Sequence, residues 1–363
     1  MADRSIVRPA VGRRSLLRGG AAIAGASAFS APFTTRALAA EKVQLAISLR
    51  SLTNPYHAKF AQGGKLFAQS VHQPIEVLVT EGNSEKGIQD VSALLDRTGG
   101  NMCLCIDPND SPDAAVIVKQ CAKAKAYVVT IWNKPAELHP WDYNPYYVAH
   151  ISFDGVQYGK LMAETLFDAM GGSGGIVALG GIFNNVPAIE RRRGMEQAVQ
   201  ASGGKVKVLD FQVADWLLPK AFKITQAWVT RFGDRIKGVW AANDEMALGA
   251  VQALREEGLA GKIPVTGIDG TPPAIAAVKA GTMVGTVDWD PVWVGGMGLS
   301  LAYNTKIGKI DIAAQPREHR EFYGTGMPVT RKNVAEYLAA RSKPATMNWD
   351  DFWGRVQGQI RYG

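Results

Sequence analysis

The stretch NMCLCIDPNDSPDAAVIVKQCAKAKAYVVTI, residues 101–131, holds one complete strand–helix–strand unit. Met102 to Ile106 is a short apolar run, Asp107 to Ser111 is a polar turn, Pro112 to Lys125 has the length and pattern of a helix, and Tyr127 to Ile131 is a second apolar run. Upstream the same alternation begins at Val43-Gln44-Leu45-Ala46-Ile47, passes through a helix from Tyr56 to Val71, a strand from Ile75 to Val79 and a helix from Ser84 to Asp96. Strands and helices alternating at these lengths predict right-handed βαβ crossovers and a parallel sheet.

Downstream the pattern restarts after Asp154. A helix from Val156 to Met170 ends in Gly171-Gly172-Ser173-Gly174-Gly175; strand Ile176 to Leu179 and helix Ala188 to Ala201 follow. Val206 to Gln212, Pro219 to Arg231, Gly238 to Ala241, Glu245 to Glu257, Val265 to Ile268, Pro273 to Ala280 and Met283 to Val287 continue the alternation. Two such α/β blocks in one chain of 363 residues predict two doubly wound lobes. The segment from Val329 onward, with Trp349 and Trp353, is amphipathic and is expected to pack against one lobe.

The N-terminus reads differently. Arg4, Arg8, Arg13, Arg14 and Arg18 precede a weakly apolar stretch from Gly19 to Phe33, and Ala37-Leu38-Ala39 follows: the order of an export signal spanning residues 1–39. Arg13-Arg14 followed by Ser15-Leu16-Leu17 resembles the twin-arginine kind. Residues 1–40 hold six arginines and one aspartate, so the remainder carries 34 basic against 32 acidic residues, and no polybasic stripe points to nucleic acid. Cys103 and Cys105 share one face of their strand, and with Cys121 they read as buried apolar thiols. None stands beside the cleavage site, which predicts a protein free in the periplasm without a lipid anchor.

Ligands of open α/β sheets sit beyond the carboxyl ends of the strands, and two facing lobes would bring those loops to one cleft. The loop after the first strand offers Asn54-Pro55-Tyr56-His57, with Asn54 held extended by the proline. Trp132-Asn133 ends the fourth strand, Asp215-Trp216 follows a strand of the second block, and Asp288-Trp289-Asp290 ends a later one. Indole faces suit the C–H surface of a sugar or the carbon chain of a polyol. Arg191, Asn243 and Asp269 supply donors and acceptors of the kind that hydroxyls need. Each has a plainer reading: Trp132 as a core cap, Asn243 or Asp269 as a helix N-cap, Arg191 as a solvated helix charge.

Five segments carry a family resemblance: residues 239–250 (VWAANDEMALGA), Gly267 to Pro272, Asn54-Pro55-Tyr56, Ile106 to Ser111, and Ala188 to Gly194 with Arg191. Together they resemble the ribose-type periplasmic sugar-binding proteins over about residues 42–330. The resemblance implies two Rossmann-like lobes joined by three crossing segments, near residues 150–155, 286–291 and 318–328. It assigns residues 41–152 with 290–322 to the N-terminal lobe, and 153–289 with 323–363 to the C-terminal lobe and tail. It implies a monomer without cofactor or metal that closes over a small sugar or polyol and delivers it to an ABC permease. Carried over residue by residue, ligand contacts fall on Asn54, Tyr56, His57, Trp132, Asn133, Arg191, Trp216, Asn243, Asp269 and Trp289.

This chain departs from the family at Trp132-Asn133, where ribose binders typically have Asp-Arg, at Trp289, where they have Gln, and at His57, which replaces a second aromatic. A charged grip on a pyranose edge is lost and apolar faces are gained, with Arg50 placed to replace the lost donors. The pocket then favours a tetritol, a pentitol, a deoxy or branched sugar, or a cyclitol over ribose itself. Two other readings stand beside this one. A ligand-loaded protein of this kind can report to a chemoreceptor or sensor kinase. A periplasmic glycosidase would need two carboxylates, for which Asp215, Asp269, Asp288 and Asp290 are available.

Overall fold

The computed structural model describes residues 42–342 and 346–362. The export signal expected over residues 1–39 lies outside them. Along the chain, β1 (Gln44–Leu49) leads into α1 (Pro55–Ser70), β2 (Ile75–Val79) into α2 (Ser84–Thr98), and β3 (Met102–Ile106) into α3 (Ser111–Lys123). β4 (Tyr127–Ile131) and β5 (Tyr147–Ser152) complete the first run, and the chain crosses over to α4 (Gly155–Ala169). The second run is β6 (Gly174–Gly180), α5 (Val186–Ala201), β7 (Val206–Val213), α6 (Leu218–Phe232), β8 (Ile236–Ala241) and α7 (Asp244–Glu256). It continues through β9 (Val265–Thr266), α8 (Pro272–Ala280) and β10 (Gly285–Asp288). Then come α9 (Pro291–Lys306), β11 (Glu321–Gly324), β12 (Met327–Thr330), α10 (Val334–Ala340) and β13 (Val356–Gln359).

The strands form two sheets, ordered β13-β11-β5-β4-β3-β1-β2 and β12-β10-β9-β8-β6-β7. Within each, all pairings are parallel except the outermost one, β13 on β11 and β12 on β10. The parallel parts share one winding, 2-1-3-4-5 in the first lobe and its equivalent 7-6-8-9-10 in the second. Each sheet therefore reverses direction once, at β1/β3 and at β6/β8, and leaves a crevice there. The chain passes between the lobes at Phe153-Asp154, at Trp289-Asp290 and at Thr325-Gly326. These are the three crossings expected, and the chain passes between the lobes once more after α10, where the tail returns to the first sheet.

Strand β1 shows why the sheet sits between two layers. Leu45, Ile47 and Leu49 join a core with Phe60 and Phe67 of α1 and Met297 and Leu301 of α9, while Ala46 belongs to the opposite core with Leu94 and Ile117. Period-two alternation splits one apolar run between both faces. Cys103 and Cys105 point into the α1–α9 core and Cys121 into the other; all three are buried and unbridged. Burial pushes the Cys121 thiol up to about 12.

The tail departs from expectation. Although α10 packs on the second lobe through Val334 and Tyr337, the chain then returns to the first lobe. Trp349, Phe352 and Trp353 join its core, and β13 pairs with β11. On the way the tail touches all three crossings. Arg361 pairs with Asp154, Arg355 Nη1 lies 2.8 Å from an Asp290 carboxylate oxygen, and Thr325 N–H donates to the Arg355 carbonyl at 3.0 Å. Asp154 and Asp290 are also the N-caps of α4 and α9. The tail thus fastens to the first residues that each helix offers after a crossing.

Candidate functional site

The crevices of the two sheets face each other across a cavity of about 490 Å³. Its walls are built largely from helix N-termini. Asn54 caps α1, its Oδ1 accepting from Tyr56 N–H at 2.9 Å, with Pro55 presetting the first turn. Asn243 caps α7, its Oδ1 accepting from Met246 N–H at 3.0 Å. Both readings of these residues therefore hold together: the oxygen serves the helix, and the remaining Nδ2 group is a donor at the cavity wall.

Of the ten residues expected at the ligand, Asn54, Tyr56, His57, Trp132 and Asn133 line the cavity from the first lobe, and Arg191, Trp216, Asn243 and Asp269 from the second. Trp289 does not. It is 1% exposed and lies behind Arg191, with its ring centroid 4.6 Å from that of Phe153, 4.8 Å from Tyr158 and 5.6 Å from Trp132. The turn at Asp290, with φ of 50°, carries the chain into the crossing, and the indole becomes part of the hinge core.

Arg191 is the centre of the second wall. It is 3% exposed, and its Nη1 donates to the Ala242 carbonyl at 2.7 Å and to Asp269 at 3.3 Å. The guanidinium carbon lies 5.0, 5.6 and 5.7 Å from the ring centroids of Trp132, Trp216 and Trp289. Its Nε–H is buried and finds no partner among the described residues. Burial raises the Asp269 carboxyl above the usual carboxylate range; Arg191 opposes this and neighbouring Asp244 adds to it. Asp244 itself is fully buried, accepting from Thr286 Oγ1 at 2.6 Å and Thr271 N–H at 2.7 Å, and so ties the ends of three strands together.

The position of Arg191 depends on how closely α4 approaches α5. A Cβ added at Gly159 would stand 2.2 Å from the Arg191 carbonyl oxygen and 2.7 Å from its Cα. Gly159→Ala is expected to push α5 outward, to cost about 1–3 kcal/mol in urea unfolding, and to weaken ligand binding as well. Full stability with unchanged affinity would show that the helices have room to part.

Backbone strain concentrates at the same walls. Trp132, Asp215, Trp216 and Asp269 have φ of 63°, 52°, 65° and 138°, a region that bulky side chains rarely occupy. Such outliers persist where the surroundings fix them and a function benefits. Trp216 is locked twice. Its ring covers Gly181 so closely that any Cβ there would meet it at 2.0 Å, and its Nε1–H donates to Asn185 Oδ1 at 2.9 Å.

Asn185 was not among the expected contacts. It stands at the N-cap position of α5, is 2% exposed, and its Nδ2 reaches across to the first lobe, donating to the Asn109 carbonyl and to Asp110 Oδ1, both at 2.9 Å. Next to it Val186 N–H donates to Asn133 Oδ1 at 3.2 Å. Asn133 also donates to the Pro108 carbonyl at 3.1 Å, so its amide serves lobe closure more than a ligand. Asp107 is the other addition: its Oδ2 lies 3.1 Å from His57 Nε2. The signals were present. Asp107 directly follows a strand, and Asn185-Val186-Pro187 places an asparagine just before a proline-started helix as Asn54-Pro55 does, although the Asn185 side chain makes no capping bond.

Of the four aspartates expected to be available to a glycosidase, two stand apart from the cavity, although Glu81, Asp107 and Glu245 line it as well. Asp288 is held by Tyr337 and Arg341, Asp290 by Arg355, and of the four only Asp215 and Asp269 reach the cavity. Asp215 is paired there with Lys220 at 2.6 Å.

The model of the periplasmic binding protein domain matches residues 45–310. The ribose import binding protein of Salmonella typhimurium is 33% identical over 282 residues, covering 78% of this chain and 90% of the relative. A xylitol-binding protein of Mycolicibacterium smegmatis is 34% identical over 186 residues, 49% of this chain and 52% of the relative. Among solved structures, a twin-arginine translocation pathway signal protein from Burkholderia phytofirmans is 57% identical, with a TM-score of 0.87, covering 89% of this chain and 99% of the other. The fold, the facing crevices and these matches agree: the chain belongs to the periplasmic binding protein domain family.

Proposed function

We propose that this protein captures a small sugar or polyol (a tetritol, pentitol, pentose or cyclitol) between its lobes in the periplasm and delivers it to an ABC importer. The observation that carries this reading is Arg191. A buried guanidinium with one unsatisfied N–H, set among tryptophan faces and beside an acceptor carboxyl, calls for a neutral hydroxyl that both accepts and donates. Donors at Asn54 and Asn243 add to the set, and the indoles of Trp132 and Trp216 offer apolar faces to a carbon skeleton. Relatives named for ribose and xylitol support the same ligand class. The signal-like residues 1–39 and the Burkholderia relative support export before the protein works.

The test is a thermal-shift screen of the protein lacking residues 1–39 against pentoses, hexoses, tetritols, pentitols and cyclitols. A ligand at about 100 times its Kd contributes ~2.7 kcal/mol, a rise of roughly 5 °C for a protein of this size. A flat response from protein unfolded, stripped and refolded would overturn the reading. New product in the mass spectrum of the best stabiliser would replace it with an enzyme.

A further inference from the structure

We propose that Asp107 is a positioning residue that holds His57 as its Nε2–H tautomer, so that the bare Nδ1 becomes the first lobe's acceptor for a ligand hydroxyl. This rests on reading the cleft as a site for a polyhydroxyl ligand, and it narrows that reading to an atom. His57 stands in the first turn of α1 and is 8% exposed. Its Nε2 lies 3.1 Å from Asp107 Oδ2. A carboxylate only accepts hydrogen bonds, so the ring nitrogen facing it carries the hydrogen. In the neutral imidazole the other nitrogen then keeps its lone pair.

That other nitrogen, Nδ1, is buried and has no partner among the described residues. Buried polar atoms of native proteins are nearly always satisfied, and an exception points to strain or to a partner that arrives. The neighbours offer no donor in its place. The Tyr56 hydroxyl, whose oxygen accepts from Trp132 Nε1–H at 2.8 Å, makes no hydrogen bond to Nδ1, and the Tyr56 ring meets the imidazole edge-on at a centroid distance of 5.7 Å. His57 lines the cavity although Nδ1 itself exposes almost no surface, so the missing donor is a ligand hydroxyl packed directly against the ring. A hydroxyl supplies it; a methyl, methylene or carbonyl at that place does not. The pair thus selects for a hydroxylated carbon at this wall. Asp107 also lies between recognition and closure, because its Oδ1 is 3.5 Å from Asn133 Nδ2, whose own Oδ1 receives the second lobe at Val186.

The experiment reads the tautomer before any ligand is added. The five histidines are labelled with nitrogen-15, and long-range proton–nitrogen spectra are recorded on the protein lacking residues 1–39, with His57 assigned from its loss in His57→Gln. Protonated Nε2 and bare Nδ1 are expected in the wild type, with a mixture of tautomers in Asp107→Ala. D-Ribose, D-allose, xylitol and myo-inositol are then added in turn. The Nδ1 resonance should move with each probe that calorimetry shows to bind, and His57→Phe should weaken that probe about 10-fold or more. A protonated Nδ1 in the wild type, or an Nδ1 resonance unmoved by a bound probe, overturns the proposal while leaving the sugar reading intact. No binding by any of the four or by any other pentose, hexose, tetritol, pentitol or cyclitol overturns both, and the tautomer measured beforehand then shows whether Asp107 positions His57 at all.

Discussion

Arg191→Ala is expected to abolish measurable binding of whichever sugar or polyol stabilises the wild type most, a loss of about 100-fold or more. Three effects add. The ligand loses a charge-assisted donor, worth ~1.5–3 kcal/mol when buried. Asp269 loses the guanidinium at 3.3 Å, and burial already raises its carboxyl, so it is driven toward a neutral acid that presents a donor where an acceptor was. Trp132, Trp216 and Trp289 lose the group that all three face, and the wall they form can collapse. Stability should fall too, by about 3–5 kcal/mol, as for other buried pairs broken on one side. Arg191→Lys keeps the charge but cannot reach the Ala242 carbonyl, Asp269 and the ligand with one fork, so it should recover folding more than affinity. Calorimetric titration of both variants decides the matter. Wild-type affinity in Arg191→Ala would mean that the ligand sits elsewhere in the cleft.

A different signature is expected from Asn185→Ala. Asn185 lines the cavity, but its amide is already engaged between the lobes and by Trp216, so the loss should appear in release. Two hydrogen bonds to Asn109 and Asp110 vanish, and Trp216 loses the acceptor that fixes its indole. At ~1 kcal/mol for the bond to the Asn109 carbonyl and ~1.5–3 kcal/mol for the one to the Asp110 carboxylate, dissociation should quicken about 100-fold or more while association changes little. Stopped-flow tryptophan fluorescence reads both rates. Asn185→Asp separates the two jobs, since its carboxylate still accepts from Trp216 but faces Asp110 with a like charge. It should close less readily than the alanine variant and leave the larger radius in small-angle scattering. Equal release rates in wild type, Asn185→Ala and Asn185→Asp would remove the latch from the account.

How far the sequence alone reached follows from what each element needs from its surroundings. The strand–helix alternation was legible because each unit carries its own turn chemistry, as at Asp107 to Ser111. Helix α9 was not. It is buried on nearly every side, from Trp293 to Thr305, and its glycines let Phe60 of α1 and Cys105 of β3 approach. A helix without a polar face shows no 3.6-residue alternation to read. β13, Val356–Gln359, is half polar because it is an edge strand, and only its pairing with β11 defines it. In the site, strand-end position together with the family resemblance pointed to nine residues that line the cavity, Arg191 in α5 among them by resemblance. Trp289 obeys the same rule yet turns into the hinge, because position along the chain says where a residue stands and not which way its backbone faces. The Asp107–His57 pair spans 50 residues of sequence, a meeting that only the sheet order creates.

The tail contacts at Asp154, Thr325 and Asp290 have a consequence for how this protein sets its affinity. A binder that samples a closed form only part of the time has an apparent Kd equal to the intrinsic value divided by that fraction. Arg355 and Arg361 lie outside the cavity but are bonded to the joints about which the lobes turn. Any reorientation of the lobes must therefore carry these three contacts with it or break them. Two proteins with identical pockets and different residues at positions 355 and 361 would wait for their ligand in different postures and hold it with different strength. Appetite for a scarce nutrient can thus be adjusted at the end of the chain, while the chemistry of recognition stays untouched.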